Sequence, residues 1–254
     1  MFSYKAIYVI VLREFKRFFR QRIRLIVTIA RPLIWLIIVG SGFSKIINVP
    51  GEISYKQFIL PGIVGMTILF SSIFSTITVV WDREFGFLRE MLVAPISRST
   101  IVTGKLLSGT ALSLFQGVVL ILLAPFFGIY VSALQFLWMF FLMAIVSLSI
   151  TALGLFIASF LKSLEGFNII MNFVVLPMFF LSGALYPLGT LPAYLHIFTF
   201  VNPLSYGIDA FKHVLFHDTG PLIAELSFTL DILAIIVFSI IMVILASYSF
   251  ERRE

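Results

Sequence analysis

The chain has no cysteine, which excludes disulfides, thiolate metal sites and cysteine nucleophiles outright. Charge is nearly as scarce. Only 12% of the residues are charged and 60% are hydrophobic, against about 25% and about 45–50% in soluble domains. A soluble globular protein is thereby excluded, and a polytopic membrane protein is the default reading. Histidine is rare too: the three present all lie between His196 and His217. Outside that stretch no nucleophile with a base and no metal-ligating cluster stands within the apolar runs.

What fills the chain instead is long apolar runs. A hydrocarbon core of about 30 Å needs about 20 helical residues at 1.5 Å rise each. Six runs approach that length: residues 25–47, 58–80, 106–131, 136–161, 167–186 and 232–250. Transmembrane β-strands would be short and alternating, which these are not. The expected fold is all-α, with six transmembrane helices in one domain over 1–254. Its parts are an interface helix (1–24), spans one and two (25–80), a polar loop (81–105), spans three to five (106–186), an outer segment (187–231), and span six with a tail (232–254).

An even number of spans places both termini on one side, and the Lys/Arg bias chooses it. Seven cations precede Leu25, four lie in 81–105, one is Lys162, and two are Arg252 and Arg253. Fourteen of eighteen are therefore cytoplasmic if the termini are inside, with Lys45, Lys56 and Lys212 outside and Arg31 within span one. The net charge of +6 follows from this asymmetry; anionic lipid headgroups account for it, and nucleic acid is not expected as a partner. No small-residue cleavage site follows the basic start, so span one is expected to be an uncleaved anchor in a cell membrane.

Before span one, Tyr8, Val11, Leu12, Phe15, Phe18 and Phe19 recur at helical spacing, with Arg13, Lys16, Arg17, Arg20 and Arg24 opposite. Such a helix lies in the membrane interface, with its cations among headgroups; it can also form a wall for a soluble subunit. The loop 81–105 is a charged island between two uncharged runs. Phe85, Leu88 and Leu92 share a face there at helical spacing, Pro95 ends the helix, and Ser97 or Ser99 can cap the next span.

Ordered along the chain, these pieces resemble the permease subunit of type-2 ABC exporters. In the loop the resemblance rests on Glu84, Phe87, Leu88, Arg89, Glu90, Leu92, Pro95, Ser97, Arg98, Gly104 and Lys105. Later it rests on the segment 181–211, LSGALYPLGTLPAYLHIFTFVNPLSYGIDAF. It implies a membrane path built by this chain and a second copy or close relative, with two copies of a separate ATPase. ATP and Mg are then bound by the partner, and no cofactor, metal or catalytic residue is expected here. By resemblance Glu84, Phe87, Leu88, Arg89, Glu90, Pro95 and Arg98 form the ATPase-coupling region, and Arg13, Phe15, Lys16, Arg17 and Arg20 belong to the interface helix. Gly183, Tyr186, Pro187, Asn202, Pro203 and Tyr206 mark an outer gate. One feature agrees independently: there is no GxxxxGK[ST] phosphate-binding loop, because Ser99 stands where the first glycine belongs and Leu106 follows Lys105.

The outer segment is apolar but broken by Pro187, Pro192, Pro203 and Pro221. Its pieces are too short to cross, so two reentrant helices are expected over 192–201 and 204–216. Asp209, His213 and His217 follow at i, i+4, i+8, which reads as a water-facing polar stripe in preference to a metal site. Arg31 is the single charge well inside a span, and it either snorkels, pairs or handles substrate. Ser147, Thr151, Gly154 and Ala158 form a small-residue packing stripe. The alternatives are weaker. An ion-coupled transporter needs ionisable groups at mid-membrane and repeats, an intramembrane enzyme needs a catalytic cluster, and a passive channel or scaffold has no positive signature here.

Overall fold

The computed structural model describes residues 3–43, 53–216 and 223–253. Among the described residues every regular element is helical. α1 (Tyr4–Arg20) leads through Gln21 into α2 (Arg22–Gly42), and α3 (Tyr55–Glu84) is followed by the short α4 (Phe87–Val93). Next come α5 (Arg98–Leu123), α6 (Ala133–Phe160) and a composite helix. The composite is α7 (Leu164–Ile170), a π-helical stretch (Met171–Val175) and α8 (Leu176–Phe180). α9 (Ala193–Val201), α10 (Pro203–Leu215) and α11 (Phe228–Arg253) complete the chain.

Helix starts follow local chemistry. Ser54 and Ser132 each accept from the backbone amide three residues on, and Gln57 and Gln135 reach back to the cap amide, so α3 and α6 begin with complete capping boxes. Ser97 caps α5, as the sequence allowed. Four helices are long and apolar enough to cross a membrane: α3, α5 with its extension to Phe126, α6 and α11. Ile26–Gly42 and Leu164–Phe180 are apolar but shorter.

α3 is the central element, packed by α2, α5, α6 and α10, while α11 lies along α6. Close approach rests on small residues. A Cβ on Gly154 would meet Thr76 at 2.9 Å, and one on Gly109 would meet Ser75 at 2.4 Å; Ser147, Thr151 and Ala158 are fully buried. The small stripe on α6 is thus a packing surface against α3 and α5.

Two expectations change. The loop after the second apolar run does not hold one amphipathic helix across 82–93: α3 continues to Glu84, and the chain breaks at Gly86, whose φ of +80° favours glycine. Asp209 is also not water-facing. It is buried, and its carboxylate accepts the backbone amides of Glu225 (3.1 Å) and Leu226 (2.8 Å).

Candidate functional site

At the end of the bundle that carries α1 and the α3–α5 connection, a buried ion network joins three helices. Lys105 of α5 has three N–H donors and uses all of them: Glu14 Oε1 at 2.7 Å, Asp82 Oδ2 at 2.6 Å and Thr78 Oγ1 at 3.2 Å. The other oxygen of Asp82 accepts from Arg13 Nη2 at 3.0 Å, with Arg17 at 3.9 Å. Glu14, Asp82 and Lys105 are each no more than 5% exposed. Lys105 and Arg13 answer the two acids, with the partly exposed Arg17 as a third cation, so both buried carboxylates are paired and hydrogen-bonded, which is the condition under which buried ions persist.

Arg13 carries the network outward. Its guanidinium lies 3.9 Å from the Phe87 ring centroid, and Nη1 is 3.6 Å from Met91 Sδ, so α4 is held against α1. Leu88 is buried and fixes α4 from beneath, while Glu90, Val93 and Pro95 face outward. Glu84 accepts the Leu164 amide at 3.2 Å at the start of α7. Arg83 donates to the carbonyls of Ala158 and Leu161 at the end of α6. Arg98 donates to the Glu251 carbonyl at 2.5 Å. Glu84 and Arg98 therefore brace the bundle end, whereas Glu90 and Pro95 present themselves to the surroundings; the Arg89 side chain lies outside the described residues.

Sequence reasoning missed Glu14, Asp82 and Lys105 as a unit. The signal available was a lone acid in a basic helix, four residues from Ile10 on one side and from Phe18 on the other. Those three form the buried stripe of α1. Phe15 is half-buried, Lys16, Arg20 and Tyr8 are exposed, and Phe19 packs edge-on against Phe115 while keeping part of its ring exposed. Gly104 permits the contact, since a Cβ there would meet the Ile10 side chain at 3.0 Å.

The residues expected at an outer gate lie together at the opposite end of α3 from the ion network. Gly183 turns the chain with φ +72° and Tyr186 donates to the Phe180 carbonyl at 2.5 Å. Pro187 leads into a 3₁₀ turn, Leu188–Thr190. Asn202 caps α10, accepting the Leu204 amide at 3.1 Å, and donates to the Met178 carbonyl at 2.7 Å. Pro203 supplies the first helical position, and Tyr206 donates to the Phe200 carbonyl at 2.7 Å. Tyr55, at the start of α3, donates to the Leu185 carbonyl at 3.0 Å.

Behind α10 lies a second buried polar group. Lys212 is 3.9 Å from Asp209, and His213 Nε2 is 3.8 Å from Asp231 and 2.8 Å from the Leu226 carbonyl. Burial lowers the Lys212 pKa below the ordinary lysine value, opposed by Asp209, Glu225 and Asp231. Asp209, His213 and Asp231 each offer a ligand atom within 4.8 Å of the others, a set that differs from the i, i+4, i+8 set; His217 lies outside the described residues.

Arg31 is exposed on α2 and lines a cavity of about 760 Å³ between α2, α3 and α5.

The family model described as ABC-2 type transporter matches residues 5–216. A transport permease designated ycf38 from Cyanophora paradoxa is 34% identical over 224 residues, covering 86% of this chain and 77% of its own. The inner membrane transport permease YadH of Escherichia coli K12 is 26% identical, covering 79% of each chain. Nodulation protein J of Rhizobium leguminosarum bv. trifolii is 26% identical, covering 74% of this chain and 72% of its own.

Proposed function

This chain belongs to the ABC-2 type transporter family and is a membrane transport subunit, and on that premise we propose that it is the permease of an ATP-driven exporter. In this reading α2 and the α7–α8 composite are the two further spans, making six, with both termini cytoplasmic in a cell membrane. α9 and α10 are reentrant and close the outer side of the path. A second copy completes the path on a two-fold axis, and two separate ATPase subunits bind ATP and Mg. The substrate is amphipathic or lipid-linked: a drug, a lipid or a glycan carrier.

One observation carries the coupling part of this proposal: the Glu14–Asp82–Lys105 network, with Arg13 extending from it over Phe87. Through it α4 is rigidly connected to α1, α3 and α5. A push on the exposed face of α4 then moves α1 and two spans as one body, which is how nucleotide-driven closure is transmitted in a rigid-body switch. The test is co-purification of the tagged chain with its ATPase from cells that express both. Glu90→Lys combined with Val93→Asp is expected to abolish recovery of the ATPase; absence of a nucleotide-binding partner for the unaltered chain would overturn the exporter reading.

The buried Asp209–Lys212–Asp231 group favours a second reading, ion-coupled transport, because such groups are what proton or cation coupling requires. It is discriminated by flux. Under the exporter reading, transport depends on ATP and persists when the proton gradient is collapsed.

A further inference from the structure

The same cavity that holds Arg31 is charged in a manner the coupling network does not use. Arg20 at the end of α1 and Arg22 at the start of α2 line one end of it, and Arg31 follows nine residues after Arg22, roughly 13 Å along α2. None of the three forms an ion pair among the described residues, whereas the neighbouring Arg13 and Arg17 both reach Asp82. An arginine facing an apolar membrane cavity without an anion is costly. The Phe70 ring, 5.9 Å from the Arg31 guanidinium, offsets only part of that.

The opposite wall is apolar, with Met66, Phe70 and Phe74 of α3, yet it holds two unused polar groups. Ser71 Oγ is buried without a hydrogen-bond partner. Gln116 of α5 is 7% exposed, and its carboxamide makes no hydrogen bond among the described residues. A neutral apolar ligand would leave Arg31 and Gln116 unsatisfied, and a cationic one would meet three guanidinium groups of its own sign. The ligand class that satisfies every wall has an oxyanion for the guanidinium fork and an apolar tail for the phenylalanines.

Resting on the exporter reading, we propose that this cavity binds the substrate and that the substrate is an amphiphile with an anionic, phosphate-like headgroup. The volume of about 760 Å³ falls within the range of small-molecule sites; it accommodates a headgroup and part of a tail, not a polymer. A bilayer phospholipid and a separate alkyl phosphate share this chemistry.

The test is direct binding to the purified full-length chain in phosphatidylcholine nanodiscs, without ATP or partner. The probe is a fluorescent alkyl phosphate. Saturable binding is expected, with displacement by dodecyl phosphate and not by dodecyltrimethylammonium or inorganic phosphate. Arg31→Gln should weaken it about tenfold, the loss of one charge-assisted contact. Gln116→Leu should weaken it less, and Lys162→Gln, which lies outside the cavity, should leave it unchanged. Melting temperatures of all variants separate lost binding from lost folding. Nanodiscs containing phosphatidylglycerol distinguish the sources: competition there supports a bilayer lipid as ligand, and its absence supports a separate amphiphile. Equal affinity for the trimethylammonium compound, full competition by inorganic phosphate alone, or unaltered binding by folded Arg31→Gln would each overturn the proposal. Because no ATPase is present, failure here leaves the exporter reading to be judged by co-purification alone.

Discussion

Lys105 shows how a residue's role depends on partners far away in sequence. Charge counting assigns it to a polar loop, yet it stands inside α5 and meets Glu14, 91 residues earlier. No pattern within one sequence pairs those two positions; only the packing of α1 on α5 does. Replacing Lys105 by Met leaves Glu14 buried with no counter-ion, and removing one partner of a buried pair costs about 3–5 kcal/mol. The expected outcome is a large drop in the thermal midpoint of the purified protein, partly restored in the Glu14→Gln/Lys105→Met double variant. Arg13→Gln should cost only about 1 kcal/mol, because Arg13 is 34% exposed and solvent screens it. Equal losses for Lys105→Met and Arg13→Gln would contradict the network as described. The residues by which the loop 81–105 resembles the family were legible in sequence, but their division into bracing and outward-facing groups was not. Glu84 and Arg98 bond backbone groups of α7 and of the α11 end, contacts that depend on tertiary placement.

At the level of elements, periodicity and proline punctuation located most helices to within a few residues. Two helices are found close to the expected ranges 192–201 and 204–216, as α9 and α10. Gly86 defeated the pattern: Phe85, Leu88 and Leu92 have helical spacing, but a glycine at positive φ separates Phe85 from the other two. Gly86→Val should therefore strain the α3–α4 junction, where an L-residue in the left-handed region costs about 1–2 kcal/mol. With an ATPase bound, the expected result is retained binding with reduced substrate-stimulated ATP hydrolysis. The segment after α8 has its own sensitive point. A Cβ on Gly62 would come within 2.1 Å of the Ala184 carbonyl oxygen, and backbone cannot rotate aside as a side chain does. Gly62→Ala should displace the Gly183–Tyr186 turn and lower stability by about 1–3 kcal/mol, the usual range for overpacking, measurable in a thermal melt. Ala158→Gly, at a buried position whose contact does not involve that turn, provides a control for loss of helix packing.

For the whole molecule, the number of crossings decides which surfaces can meet an ATPase. α3, α5, α6 and α11 suffice to span on length and composition, whereas Ile26–Gly42 and Leu164–Phe180 fall short of the usual length. The six-span and four-span arrangements differ where a label can read them. With six crossings, Lys162 and Glu251 share a side and Tyr194 lies opposite. If α2 and the α7–α8 composite do not cross, Tyr194 joins the side of Lys162, and Glu251 moves to the other. All three positions are exposed, and the native chain contains no cysteine, so single cysteines can be introduced without a background thiol. The expected outcome in right-side-out cells is that a membrane-impermeant maleimide labels a cysteine at 194 and leaves those at 162 and 251 unlabelled until the membrane is opened. The positive-inside bias requires this result, since fourteen of eighteen cations then face the cytoplasm. Labelling of position 251 from outside would put α1 on the far side from α4 in the four-span chain. That is incompatible with the Arg13–Asp82 contact of 3.0 Å, so the ion network requires α2 to cross, and the Arg98–Glu251 contact requires the α7–α8 composite to cross as well.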